Sequence, residues 1–195
     1  MELIEDLDRI CLFWIQQNLM NEYLSEVMIA FSVLGDGGFI WIFFGLVCIC
    51  SKSYRQTGIV IFIALLFNVV VGETILKNLI MRERPYIDYP AIALLISEPG
   101  GYSFPSGHTF SSFAAATAIS RSVKFYGRTA VFLLAFCIGF SRVYLFVHYP
   151  CDVIAGIVLG IIFGMISWKM FFYLRNLIYL VILSFLKRKF MNSGK

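Results

Sequence analysis

The stretch TGIVIFIALLFNVVVGETILKNLI, residues 57–80, decides how the chain is to be read. As a helix it would extend about 36 Å, more than the roughly 30 Å hydrocarbon core of a bilayer. Only Glu73 and Lys77, near its end, carry charge. Lipid is therefore the solvent this chain is built for. The whole composition agrees: 59% of the 195 residues are hydrophobic and 14% charged, against roughly 45–50% apolar and about 25% charged in a soluble domain.

Upstream, the apolar run 24–50 is interrupted by Gly35-Asp36-Gly37-Gly38 and reads equally as one broken span or as a short helix followed by a span. Residues 1–20 place Leu3, Ile4, Leu7, Ile10, Cys11, Trp14 and Ile15 at helical spacing, with Glu2, Glu5, Asp6, Asp8 and Arg9 largely opposite. This pattern predicts an amphipathic helix lying in the interface with Trp14 as anchor. The acidic start does not read as a cleaved signal and is expected to be retained.

Downstream, residues 106–120 are short and rich in small side chains, so their start is expected below the membrane surface, at a polar pit. Residues 129–147 read as a span, and 153–168 as another, with Gly156, Gly160 and Gly164 forming a stripe that permits close helix approach. The run 176–186, bounded by Arg175 and Lys187-Arg188-Lys189, is too short to cross and is expected along the surface. The predicted fold is an all-α polytopic membrane bundle of five or six membrane helices plus the interfacial helix. It forms a single domain over 1–195: interfacial helix 1–20, helical core 24–168, basic C-terminal surface segment 169–195. No linker, repeat or low-complexity segment divides it.

Basic residues in short connections give the orientation. Lys52 and Arg55, then Arg121, Lys124 and Arg128, then the basic tail are expected at the cytoplasmic face. Three polar phrases then share the opposite, outer end: Lys77 with Arg84-Pro85, Pro105-Ser106-Gly107-His108, and Arg142 with His148 and Asp152.

These phrases carry the chemistry, and they contain the only two histidines in the chain. Asp152 follows His148 by four residues, one helical turn if the helix begins near Pro150. A carboxylate there can accept the proton of one ring nitrogen and leave the other lone pair outward, which makes the imidazole a nucleophile. A purely structural His–Asp bond is the competing reading, and it requires the cations to lie elsewhere. Ser106-Gly107-His108 reads as a turn into a helix N-terminus, where free N–H groups and the helix dipole favour an anion. Alone it is weak, because a capping serine after proline is common. His108 can protonate a departing oxygen. Lys77, Arg84 and Arg142 sit at the ends of apolar spans, where an unpaired charge costs on the order of 2.5–3.5 kcal/mol. Glu73, one turn before Lys77, is its expected partner; Arg82 falls at the site end beside Arg84 and reads either as one of the site's charges or, with Glu83, as a solvated flank.

Two histidines and an aspartate are possible metal ligands, yet the surrounding cations would repel a divalent ion and attract phosphate. A metal-free, cofactor-free site is expected. The five cysteines show no paired metal spacing and read as packing residues, Cys151 being the one within the site phrase.

Taken together and in this order, the three phrases resemble the type 2 phosphatidic acid phosphatase superfamily, which includes lipid phosphate phosphatases, glucose-6-phosphatase and vanadium haloperoxidases. The match spans Lys77 to Asp152. The resemblance implies a helical bundle that hydrolyses a phosphate ester or anhydride without metal, through a phosphohistidine. His148 would be nucleophile, Asp152 its orienting partner and His108 the general acid. Lys77, Arg84, Ser106, Gly107 and Arg142 would hold the phosphoryl oxygens.

Small size and an outward-facing site are similar to bacterial members acting on undecaprenyl pyrophosphate in cell-wall biogenesis; phosphatidylglycerophosphate or phosphatidate is the alternative substrate. Asp36, Tyr86, Tyr102 and the 86–103 loop are the expected seat of substrate choice. The implied partner is a membrane lipid phosphate and no nucleic acid. Anion or lipid transport is the competing function, since intramembrane charges and a broken helix can also line a pathway.

Overall fold

The computed structural model describes residues 2–192 and contains helices but no strand among them. Helix α1 is Glu2–Asn18, α2 Glu22–Gly35, α3 Phe39–Cys50 and α4 Arg55–Phe67. The last runs on through wide π-helical turns, Asn68–Leu76, into α5, Lys77–Ile80. A short α6, Pro85–Asp88, opens the long connection to α7, Gly107–Ser120; α8, Phe125–Tyr144, and α9, Pro150–Asn192, complete the chain. Among the described residues, four helical units are long and apolar enough to cross a membrane: Glu22–Cys50, Arg55–Asp88, Phe125–Tyr144 and Pro150–Ser184. The predicted polytopic bundle is what forms, with α7 enclosed among these four units.

Contacts resolve the ambiguity in 24–50. The Tyr144 hydroxyl lies 3.0 Å from Ser25 Oγ, Arg142 meets Ser32, and Gly35 faces Ile138, so α2 runs antiparallel to the end of α8. Gly38 then faces Leu65, and Gly45 faces Phe62, so α3 runs antiparallel to α4. Together α2 and α3 make one crossing, broken midway where Gly37 (φ 56°) and Gly38 (φ 72°) take the left-handed conformation that a missing Cβ permits. The break carries Asp36 to His108, at the bundle's polar end.

Helix α7 is the core of the bundle. Its residues Ala114, Ala115, Ala116 and Ala118 are fully buried. Trp41 Nε1 of α3 donates to Ser112 Oγ at 2.9 Å, and Trp168 Nε1 of α9 donates to the Ala118 carbonyl at 3.0 Å, so both indoles bury their rings with the N–H satisfied. The glycine stripe of α9 finds its neighbour here. A β-carbon at Gly160 would lie 2.8 Å from the Phe110 carbonyl oxygen, and one at Gly164 2.8 Å from that of Ala114. The two backbones therefore meet directly. The register, with Gly156 against Ser106 and Gly164 against Ala114, makes α7 and α9 parallel, and both N-termini open at the same end.

Helix α1 packs differently from its expected amphipathic division. Its inward face is Asp8, Leu12 and Ile15, all buried, while Leu3, Ile4, Leu7, Ile10 and Trp14 are exposed. Helix α9 also differs from expectation, continuing unbroken through 176–186 to Asn192 where a separate surface run was read. An uninterrupted helical register carries it past Lys169 and Arg175. The side chains of Lys187-Arg188-Lys189, and all of residues 193–195, lie outside the described residues. The connections 51–54 and 121–124 share one end of the bundle, where Thr57 and Ser122 hydroxyls lie 2.5 Å apart. The three polar phrases share the other.

Candidate active site

A cavity of about 360 Å³ opens at the N-terminal ends of α7 and α9. Lys77, Arg84, Gly107, His108, Arg142 and His148 all line it. The spans that separate these residues in sequence are what unite them, since α5, α7 and α9 each begin or end at this level. Ser106 and Asp152 are fully buried and are not among its lining residues.

His148 sits in the turn between α8 and α9. Asp152 holds that turn, because its Oδ2 accepts the Tyr149 N–H at 2.8 Å, a side chain in the first turn reaching back to the residue before Pro150. The direct approach of His148 Nδ1 to Asp152 Oδ2 is 3.7 Å, too long for the hydrogen bond expected from the i,i+4 spacing. Ser103 bridges them. Its hydroxyl donates to Asp152 Oδ2 at 2.5 Å and lies 3.3 Å from His148 Nδ1, so a proton on Nδ1 points at the serine oxygen. Arg84 Nη1 stands 3.2 Å from Nε2, which suits an unprotonated Nε2 turned to the cavity. Burial pushes the His148 pKa down to about 3, and Arg84 and Arg142 add to this against the pull of Asp152. Burial thus favours the neutral ring, the form a nucleophile requires.

Arg84 is held rigidly. Its Nε donates to the Gly101 carbonyl at 2.8 Å, Nη2 to Gly100 at 3.1 Å and Nη1 to Val147 at 2.9 Å. Arg142 meets the Ser32 hydroxyl, and its buried Nε has no protein partner. Lys77 Nζ donates to Glu73 Oε2 at 2.7 Å, the pair expected one turn apart. The other oxygen of Glu73 lies over the start of α7, so close that a β-carbon at Gly107 would meet it at 1.9 Å. A carboxylate thus rests where a phosphoryl oxygen was expected, against a helix N-terminus and a lysine. Ser106 is engaged elsewhere: its N–H donates to the Asp152 carbonyl at 3.1 Å and its Oγ accepts from Thr109 at 2.9 Å.

Across the cavity, His108 Nε2 lies 2.7 Å from Asp36 Oδ1, the residue delivered by the break between α2 and α3. Tyr86 does not reach into this cavity; its hydroxyl donates to the Pro99 carbonyl at 2.8 Å and braces the 86–103 loop.

Two polar residues at this end, Ser103 and Asp8, escape the sequence reading of the site, and a third, Arg82, is left open by it between site and solvated flank. Ser103 lies in an irregular loop where no periodicity marks it. Arg82 is no solvated flank: it donates to Asp152 Oδ1 and Asp8 Oδ2, both at 2.7 Å. Asp8 had a legible signal, since it falls on the same helical face as Leu12 and Ile15.

The model of the PAP2 superfamily matches residues 56–176. The undecaprenyl-diphosphatase of Sulfolobus acidocaldarius is 33% identical over 138 residues, covering 70% of this chain and 66% of that protein. The decaprenylphosphoryl-5-phosphoribose phosphatase of Mycobacterium tuberculosis is 40% identical over 92 residues, covering 47% of this chain and 49% of its own length. The matched stretches thus span from about half to just under two thirds of these relatives. The crystal structure of Aquifex aeolicus LpxE superposes with a TM-score of 0.73 at 30% identity, covering 86% of this chain and 95% of that one. By matched sequence, by architecture and by the three phrases gathered at one cavity, the chain belongs to the PAP2 superfamily.

Proposed function

We propose that the protein is a metal-independent lipid phosphate hydrolase working through a phosphohistidine on His148, with undecaprenyl pyrophosphate as its substrate and the cavity facing the extracytoplasmic side. The observation that carries this reading is the placement of His148, its Nε2 directed to a cavity lined by Lys77, Arg84 and Arg142. In the first step Nε2 attacks phosphorus, the P–O bond to the leaving group breaks, and His108 protonates the departing oxygen. The phosphoryl group takes the place of the Glu73 carboxylate beside Lys77 and the start of α7. Guanidinium, ammonium and helix-terminal N–H groups stabilise the charge spread over its equatorial oxygens. Positive charge arising on the His148 ring is balanced through Ser103 by Asp152. In the second step His108 takes a proton from water, whose oxygen attacks phosphorus and releases inorganic phosphate and free His148.

The prenyl pyrophosphate is favoured by the Sulfolobus relative. Phosphatidylglycerophosphate is the second reading, favoured by the phosphatidylglycerophosphatase B of Bacillus subtilis, 29% identical over 154 residues and covering 74% of this chain and 73% of that protein. The basic connections at the opposite end support an extracytoplasmic site. Purified protein offered undecaprenyl pyrophosphate, phosphatidylglycerophosphate and phosphatidate should release phosphate fastest from the first, equally with and without chelator. Orthovanadate should inhibit competitively. Loss of turnover with chelator overturns the metal-free mechanism; a faster rate on either glycerolipid reassigns the substrate. A cysteine placed at position 88, but not one at 53, should react with an impermeant label from outside. The reverse labelling pattern moves the site to the cytoplasmic face.

A further inference from the structure

One oxygen of Asp152 serves the nucleophile through Ser103; the other is held by a chain of charges that leaves the cavity altogether. Arg82 Nη1 donates to Asp152 Oδ1 at 2.7 Å, and Arg82 Nη2 donates to Asp8 Oδ2 at 2.7 Å. Asp8 is anchored in turn by the Cys151 N–H, which donates to its Oδ1 at 2.8 Å. The guanidinium lies over the Tyr149 ring, 4.0 Å from its centroid, and the Arg82 carbonyl accepts the N–H of Ser103 at 2.8 Å. Arg82 therefore holds both partners of the His148 ring, Asp152 by its side chain and Ser103 by its main chain. Asp8 and Asp152 are buried, and neither Asp8 nor Arg82 lines the cavity.

The electrostatics of the chain explain why Asp8 is needed. Arg82 alone against Asp152 would neutralise the carboxylate that must stabilise a cationic His148. With Asp8 on its far side, the trio keeps one net negative charge, while the guanidinium fixes the direction in which Asp152 points. Buried charges are tolerated when each finds hydrogen-bonding partners, and here Asp8, Arg82 and Asp152 all do.

We infer that Asp8 and Arg82 are positioning residues of the hydrolytic reaction, and that α1 is thereby a working part of the active site and not only an anchor. The inference rests on the assignment of His148 as nucleophile. The reaction itself is unchanged by it, since neither residue touches substrate.

The test uses the full-length protein in detergent, with p-nitrophenyl phosphate and undecaprenyl pyrophosphate as substrates. Asp8→Asn and Arg82→Gln should each lower kcat about tenfold on both substrates and change KM less than about twofold, as for loss of a group that orients a reacting side chain. The double variant restores the net charge of the trio and should be no slower than the slower single variant. Asp8→Glu, which keeps the charge, should retain kcat within about twofold. Losses that simply multiply in the double variant, or a KM rise confined to the lipid, would show that α1 only braces the fold or the membrane contact and would overturn the inference. Trapping with 32P-labelled p-nitrophenyl phosphate separates this from failure of the underlying mechanism. Label on His148 of the wild type together with unchanged kinetics of Asp8→Asn overturns the coupling alone, whereas no label on His148 overturns both.

Discussion

The two histidines of the cavity are held in opposite ways. His148 is 2% exposed, in a turn fixed by Asp152, bridged by Ser103 and faced by an Arg84 that is itself tied to three main-chain carbonyls. His108 stands on the first turn of α7 with one side-chain partner, Asp36, whose carboxylate is 62% exposed at a helix break. The contrast separates two demands of phosphoryl transfer. A nucleophile must be aimed at phosphorus and gains from a rigid mount, while the acid–base group must give a proton to the leaving oxygen in one step and take one from water in the next.

The largest effect should come from removing the aimed ring. His148→Ala should lower kcat at least about 10³-fold on every substrate, activated or not, because the covalent route is lost. His108→Ala should cost about 10²–10⁴-fold on a lipid phosphate but markedly less for phosphoenzyme formation from p-nitrophenyl phosphate, whose leaving oxygen needs no proton. Equal deficits on both substrates would remove the distinction between the two rings. Ser103→Ala should come next, at about tenfold in kcat, corresponding to ~1.4 kcal/mol, since Asp152 stays anchored by Tyr149 and Arg82 but no longer reaches Nδ1. Acidification should have the smallest effect. With its pKa pushed from the ordinary imidazole value of 6.5 down to about 3, His148 takes up a proton only far below neutrality. Its single-turnover phosphorylation should therefore fall less than about threefold between about pH 7 and about pH 5.5. A decline following a titration near the ordinary imidazole value would show that the ring is not shielded by burial.

What the sequence disclosed divides along similar lines. Span 57–80, the glycine stripe and the three phrases were legible because each is a local pattern of hydropathy or spacing. The pairing of Glu73 with Lys77 was legible for the same reason, one turn along one helix. The Ser103 bridge and the Asp36–His108 contact were not, since each joins residues 45 or more positions apart across elements whose mutual placement has no local signature. Asp152 illustrates the boundary: its i,i+4 spacing brought it near His148, but whether they touch or are bridged depends on a loop from elsewhere. Residues 35–38 announced a break, but only the packing of α2 on α8 and α3 on α4 makes it an interruption within one crossing. Asp8 was misread because a charged side chain in a helix with an apolar stripe was assigned to water, whereas Leu12 and Ile15 on its own face were marking the side that meets the bundle.

The contact between α7 and α9 bears on how closely the two rings can be spaced. Each histidine is mounted at the head of one of these rods, and the rods touch through main chain at Gly156, Gly160 and Gly164. The gauge of the reaction gap is thus set by residues without side chains, deep in the bundle. Ordinary core substitutions would leave it alone, while a single methyl added at Gly156 would act as a shim driven between the two mounts.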